Sequence, residues 1–271
     1  MLRFRSVPGR FVLLLAIACA TPVAIAHAAD ISGSAALSSR PGAAVDSLGP
    51  GITRLHDGAI AYRPAKLGPG AHPLVVLLHG NNRPPDELVQ AFKSQADARG
   101  LILLAPKSSA GTWDLVADAA RFHGGRPKGG DKPRFGPDVA RIDAVLGETF
   151  AKANIDPAHV VLAGFSDGAS YALSLGLANP GLFSAILALS PGLMVAPEAA
   201  DAEQRLFIAH GRDDRMIAVA VSRDGLAPAL SAAGMNVRLH LFNGGHEIDR
   251  RSLNDGLEFA LDGRGEQRGP Q

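Results

Sequence analysis

Residues 162–170 read Leu-Ala-Gly-Phe-Ser-Asp-Gly-Ala-Ser, which sets Ser166 between Gly164 and Gly168, after the apolar run 159–163 and before a helix-like stretch. A strand that turns sharply into a helix pushes such a hydroxyl out at the carboxyl end of a sheet, and flanking glycines are what so tight a turn tolerates. Serine is a weak nucleophile on its own, so it needs a base to take its proton and a third group to orient that base. The chain order that accompanies this elbow is serine, then acid, then histidine. Downstream, the apolar stretch 205–209 and His210-Gly211 read as a strand ending in a turn, and Arg212-Asp213-Asp214-Arg215 follow. An acid just past a strand end reaches the sheet's carboxyl edge, and both Asp213 and Asp214 stand there. His246 comes after a later strand, Val237–Phe242, and the turn Asn243-Gly244-Gly245. Its ordinary pKa, about 6.5, suits proton exchange with a serine near neutral pH.

Charge developing on a carbonyl oxygen must be met by preorganised donors. One is expected from the amide of Asp167, next to the serine at a helix start, where the helix dipole also favours negative charge. The remaining histidines have plainer readings. His240 lies within a strand, His56, His72 and His159 belong to surface or loop positions, and His210 is expected to pack rather than to react.

Four segments together resemble a known family: Leu77-Leu78-His79-Gly80-Asn81, the run 155–183 around Ser166, His210–Ile217, and Gly244–Ile248. The chain is similar to α/β-hydrolases of the phospholipase/carboxylesterase and polyhydroxybutyrate-depolymerase-like group, over roughly residues 73–261. The resemblance implies an α/β-hydrolase fold and a Ser166–His246–Asp214 triad, with Asp214 preferred over Asp213 through a His-Gly-x-x-Asp pattern. It also implies a second oxyanion donor, the amide of Asn81, from a His-Gly loop like that of esterases and lipases. The full His-Gly-Gly-Gly form is absent.

The elements needed to position these residues are visible as alternation. Strands are expected at 73–78, 101–105, 159–163, 184–189, 205–209 and 237–242, with opening strands within 52–61. Helices are expected at 85–99, 138–153, 168–178, 218–233 and 248–261. Such alternation predicts a mainly parallel central sheet with helices on both faces. A doubly wound nucleotide-binding fold would alternate similarly, but no Gly-x-Gly-x-x-Gly turn follows the first strand.

A chain of 271 residues, 46% hydrophobic and 20% charged, fits one sizeable domain. Three arginines precede the apolar stretch 11–20, and Ala26-His27-Ala28 offers a small-x-small cleavage site, so residues 1–28 read as a secretory signal. The protein is therefore expected to be exported, periplasmic or secreted. Removal of 1–28 takes three arginines and no acids, which moves the formal charge from +1 to 24 − 26 = −2. No nucleic-acid or membrane-surface partner is implied, and no stable membrane insertion is expected. The single cysteine, Cys19, falls within the signal; a degenerate lipobox, Ala16-Ile17-Ala18-Cys19, is the alternative, giving a lipid anchor. Residues 29–50 are expected to form a flexible leader, leaving 51–271 as the single catalytic domain.

Two segments are expected to shape a pocket. Residues 108–115 include Trp113, which could wall an acyl or alcohol site or simply pack. Residues 121–136 carry five cations against Asp131, together with His123, and read as a substrate-attracting flap or as a solvated loop. No His-x-x-x-His or Cys-x-x-Cys pair appears, so neither metal nor cofactor is expected. The expectation is an exported serine hydrolase that cleaves a small-molecule, lipid or polymer ester through an acyl-enzyme. A peptidase or acyltransferase using the same triad, or a hydrolase-fold binding protein without chemistry, are the alternatives.

Overall fold

The computed structural model describes residues 12–15, 24–27, 35–44, 46–120, 133–195 and 201–262. Of the expected export signal, only the strand backbones Val12–Leu15 and Ala24–His27 are described. Cys19, the Ala28 cleavage position, His123 and most of the basic loop lie outside the described residues.

Eight strands build the central sheet: β1 Gly51–Arg54, β2 Ile60–Arg63, β3 His72–Leu78, β4 Ile102–Ala105, β5 Ile155–Phe165, β6 Ala185–Leu189, β7 Arg205–Gly211 and β8 Asn236–Phe242. Their spatial order is β1-β2-β4-β3-β5-β6-β7-β8. Every neighbouring pair from β4 to β8 is parallel, and only β2 on β4 and β1 on β2 are antiparallel. Parallel strands covered on both faces are apolar throughout, and β3 shows how one strand feeds two cores. Leu74, Val76 and Leu78 point into one cluster, Val75 and Leu77 into the other.

Helices α1 Pro85–Arg99 and α6 Arg250–Asp262 cover one face. Helices α2 Asp114–Ala120, α3 Pro137–Lys152, α4 Asp167–Leu177 and α5 Ala227–Ala232 cover the other. This is the α/β-hydrolase fold. Element bounds fall close to the sequence-based expectations, with several differences: β5 runs Ile155–Phe165 rather than 159–163, a short strand Leu193–Met194 is unexpected, and two helices differ. Helix α2 is too short to display an apolar period in the sequence. The expected helix 218–233 opens instead with a π turn, Val221–Leu226, before α5.

Within 35–44 and 46–50, expected as part of a flexible leader, Ala35, Leu37–Ser39 and Ser47–Leu48 are tied to the domain by hydrogen bonds. Ala35 and Leu37 are buried. The Asn179 side chain accepts from the Leu37 amide and donates to the Ala35 carbonyl, both at 2.8 Å. Asp143 on α3 accepts from the amides of Ser38 and Ser39 at 2.9 and 2.8 Å. The attachment runs largely through main chain, which a small and polar composition does not disclose.

The turn from β5 into α4 makes the tightest glycine approach among the described residues. Ser166 has φ 57°, a left-handed conformation costing about 1–3 kcal/mol in a non-glycine residue. Its amide donates to the Leu189 carbonyl at 2.9 Å, tying the turn to the end of β6. A Cβ on Gly168 would stand 1.9 Å from the Leu78 carbonyl oxygen, and one on Gly164 would stand 2.2 Å from that of Gly168. The start of α4 can therefore lie directly against the end of β3. Gly168→Ala is expected to destabilise the protein by about 3 kcal/mol or more, lowering Tm by roughly 6–12 °C in a thermal melt.

Candidate active site

Three loop ends meet at the carboxyl rim of the sheet. Gly211 closes β7, and a Cβ there would sit 2.2 Å from the Gly245 carbonyl oxygen. With no side chain in the way, the pairing of β7 and β8 continues past the strands: the amides of Arg212 and Asp213 donate to the carbonyls of Phe242 and Gly244 at 2.9 and 3.0 Å. The loop carrying His246 is thereby laid against the loop carrying Asp214. His246 Nδ1 lies 2.7 Å from Asp214 Oδ2, and its Nε2 lies 2.9 Å from Ser166 Oγ. A carboxylate can only accept, so Nδ1 holds the ring proton and Nε2 accepts from the serine hydroxyl. The ring of Phe165 packs on the imidazole with centroids 4.8 Å apart.

Asp214 is buried, and its Oδ1 accepts from the amides of Met216 and Ile217, each at 2.8 Å. Burial pushes the carboxyl upward, but the two amides and the His246 imidazole outweigh it and hold the acid below its ordinary range. Asp213, the competing acid, is exposed. The structure thus brings Ser166, His246 and Asp214 into one hydrogen-bonded line. The other surface histidines find partners elsewhere: His56 faces Asp57, His159 meets Asp156, and His72 bonds the Gly68 carbonyl.

The loop after β3 borders the serine on its other side. A Cβ on Gly80 would lie 3.5 Å from Ser166 Cβ. The amides of Asn81 and Asp167 donate to no other described residue, and the latter opens α4, where N–H groups lack intrahelical acceptors. The segment 108–114 braces both. The Asn82 amide donates to the Gly111 carbonyl at 2.7 Å, and Thr112 Oγ1 donates to Asp167 Oδ2 at 2.6 Å. That segment is anchored by Asp138, a fully buried carboxylate on α3, which accepts from the amides of Ser109 at 2.6 Å and Asp114 at 2.8 Å. Asp114 returns the contact by accepting from the Asp138 amide at 2.7 Å.

Trp113, expected as a possible pocket wall, is instead fully buried. Its ring lies between His79 and Tyr171, with centroids 4.9 and 5.1 Å away, and its Nε1 donates to the His79 carbonyl at 2.8 Å. The indole braces the His79–Asn82 loop because that carbonyl satisfies its one polar group. His79 Nε2 accepts from the Ser108 amide at 3.2 Å, so Nδ1 carries the proton, 2.8 Å from the Gly80 carbonyl. Burial pushes this imidazole below the ordinary histidine value. A cavity of about 310 Å³ opens beside the bracing segment, lined by Ser109, Ala110, Thr112, Asp114, Ala117 and Asp118. On the far side, Ser170 and Ser174 of α4 accept the amides of Gly192 and Val195, each at 2.9 Å, holding the segment after β6.

A family profile described as Phospholipase/Carboxylesterase matches residues 68–261, well over half of the chain. The chain belongs to this phospholipase/carboxylesterase family. Among curated members, Esterase YpfH of Escherichia coli (strain K12) is 33% identical over 132 residues, covering 45% of this chain and 54% of that protein. NocK of Nocardia uniformis subsp. tsuyamanensis is 29% identical over 133 residues, covering 48% of this chain and 36% of that protein. The chain thus spans about a third to a half of the curated relatives it matches. Among solved structures, esterase PE8 superposes with a TM-score of 0.55 at 27% identity, covering 78% of this chain and 99% of that one. The Bacillus cereus carboxylesterase shares the fold at 18% identity, with a TM-score of 0.52 and coverage of 75% and 93%.

Sequence reasoning missed three contributors to the site. Thr112 and Asp138 carry no motif: the first engages the Asp167 carboxylate, the second the amides of Ser109 and Asp114. His210 stood in the His-Gly-x-x-Asp pattern and is buried as expected, but its ring also touches Asp214. Two outcomes follow from the geometry. Asp138→Asn, which leaves one of two loop amides facing an N–H₂ group, should lower kcat about tenfold with KM little changed, and Asp138→Ala more, as measured by steady-state ester kinetics. His79 and His210 are both held neutral, with burial depressing each. Between their folded values and the ordinary 6.5 the unfolded chain binds more protons, so stability rises with pH across that window. Melting temperature should therefore fall as pH drops below about 6.5, and His79→Gln should flatten the slope.

Proposed function

We propose that the protein is an exported serine esterase that cleaves carboxylic esters by a two-step acyl-enzyme route. The observation that carries this is the unbroken line Ser166 Oγ, His246 Nε2, His246 Nδ1, Asp214 Oδ2, with contacts of 2.9 and 2.7 Å. Ser166 Oγ attacks the ester carbonyl while Nε2 takes its proton, and Asp214 stabilises the imidazolium that forms. The amides of Asn81 and Asp167 receive the developing oxyanion. Collapse of the tetrahedral intermediate breaks the ester C–O bond, and His246 returns the proton to the departing alcohol. Water, deprotonated by the same imidazole, then attacks the acyl-enzyme and releases the acid with Ser166 restored.

Membership in the phospholipase/carboxylesterase family and the esterase names of YpfH and PE8 support an ester as substrate. Export rests on Arg3, Arg5 and Arg10, the apolar stretch 11–20 and the Ala26-His27-Ala28 site. Ser166→Ala should lower turnover of a p-nitrophenyl acyl ester by at least ~10³-fold with melting temperature preserved. Turnover near the wild-type level would end the reading. Cell fractionation with N-terminal mass spectrometry should find a mature chain beginning after Ala28 outside the cytoplasm, and a lipid on Cys19 would instead favour the anchored form.

A further inference from the structure

Behind the triad the hydrogen-bonded line continues inward. His210, the next-to-last residue of β7, is fully buried. Its Nε2 lies 3.0 Å from the Ile217 carbonyl oxygen and 3.2 Å from Asp214 Oδ2, while its Nδ1 lies 2.7 Å from Ser222 Oγ. A neutral imidazole has one N–H and one lone pair. Both neighbours of Nε2 are acceptors, so the proton sits there, and Nδ1 accepts from the Ser222 hydroxyl. Burial favours the neutral ring, against the opposing pull of the Ile217 carbonyl and Asp214. The other tautomer would set a lone pair against a carboxylate. Ser222 is itself buried and is delivered by the π turn Val221–Leu226, an irregularity that recurs at functional positions.

We infer that His210 is a positioning residue for Asp214: Ser222 fixes its tautomer, and its Nε2–H holds Asp214 Oδ2 where His246 needs it while sharing the carboxylate's charge. This rests on the triad reading given above. Asp214 then has three hydrogen-bond donors, two amides on Oδ1 and His246 on Oδ2, and the His210 Nε2–H, shared with the Ile217 carbonyl, stands 3.2 Å from Oδ2 as a fourth contact. The contact to the Ile217 carbonyl adds a tie across residues 214–217, so the acid and its turn move as one. The titratable groups that act on His210 are Asp214 and His246; Ser222 and main chain supply its other contacts.

The test compares full-length His210→Leu, His210→Gln and Ser222→Ala with wild type. Glutamine is near histidine in size and keeps a donor for Asp214, whereas leucine keeps only bulk. Readouts are the rate of Ser166 labelling by a fluorophosphonate across pH, kcat and KM for an ester, and the melting temperature. His210→Leu should slow labelling and lower kcat by about 10- to 100-fold, the scale of one lost hydrogen bond to a charged group, with KM within about twofold. Its acid limb should move to higher pH, because a carboxylate with one donor fewer pulls harder on the imidazolium. His210→Gln should recover most of the loss, and Ser222→Ala should fall between. Leucine and glutamine behaving alike with the limb unmoved would reduce His210 to packing and overturn the inference. Should His210→Leu not fold, unaltered labelling and an unmoved limb in Ser222→Ala overturn it equally. A wild type that labels yet turns over no ester sinks the esterase reading alone, since labelling still reads His210; one that never labels sinks both.

Discussion

A carboxylate taken out of water must be met by donors, and the buried Asp214 imposes that demand on the rim around it. Two donors are local, the amides of Met216 and Ile217, supplied because the turn after β7 folds back over the acid. A third comes from further away, His246 from the loop after β8, and His210 of β7 adds a longer contact at 3.2 Å. Meeting the demand therefore requires β7 and β8 to be parallel neighbours whose trailing loops touch, and Gly211 is the residue that lets them touch. The placement of the imidazole beside Ser166 follows from compensating one buried charge.

The opposite side of the serine is organised on a different principle. There the groups that matter are main-chain amides, and their positions are set by side chains that never approach a substrate. Asp138 grips the segment 108–114, Trp113 and His79 fill the space beneath the loop after β3, and Thr112 engages Asp167. Ser166, strained at φ 57°, is gripped between the two sides: by the Leu189 carbonyl from β6 and by the contact of Gly168 with the end of β3. Backbone strain of this size persists only where the surroundings over-determine it. Here two well-packed cores, one on each face of the sheet, do so.

Much of this was readable from residue order. Apolar runs such as 74–78 and 102–105 marked buried parallel strands, and the glycines around Ser166 marked the elbow, because strands covered on both faces and a left-handed turn each admit few residue types. Ser166 and His246 stood out for the same reason: chemistry, strand context and chain order agreed. Asp214 was separated from Asp213 only by resemblance, and burial of one and exposure of the other is what the fold adds. The leader residues 35–39 and Trp113 went the other way. A small, polar composition conceals main-chain attachment to Asn179 and Asp143, and an aromatic beside an active edge carries no mark of which way its ring turns.

By itself, then, the amino-acid order determined the layered architecture and the kinds of group that would gather at one rim, since periodicity and turn chemistry are local properties. Only the tertiary structure decided which buried groups support them. Asp138, Thr112, His210 and Ser222 lie 28, 54, 44 and 56 residues from Ser166 by their positions in the chain. Their partners are amides, a carbonyl, an imidazole nitrogen and carboxylate oxygens. Contacts of that sort impose no spacing on the chain, because they exist only once separate strands have been brought side by side.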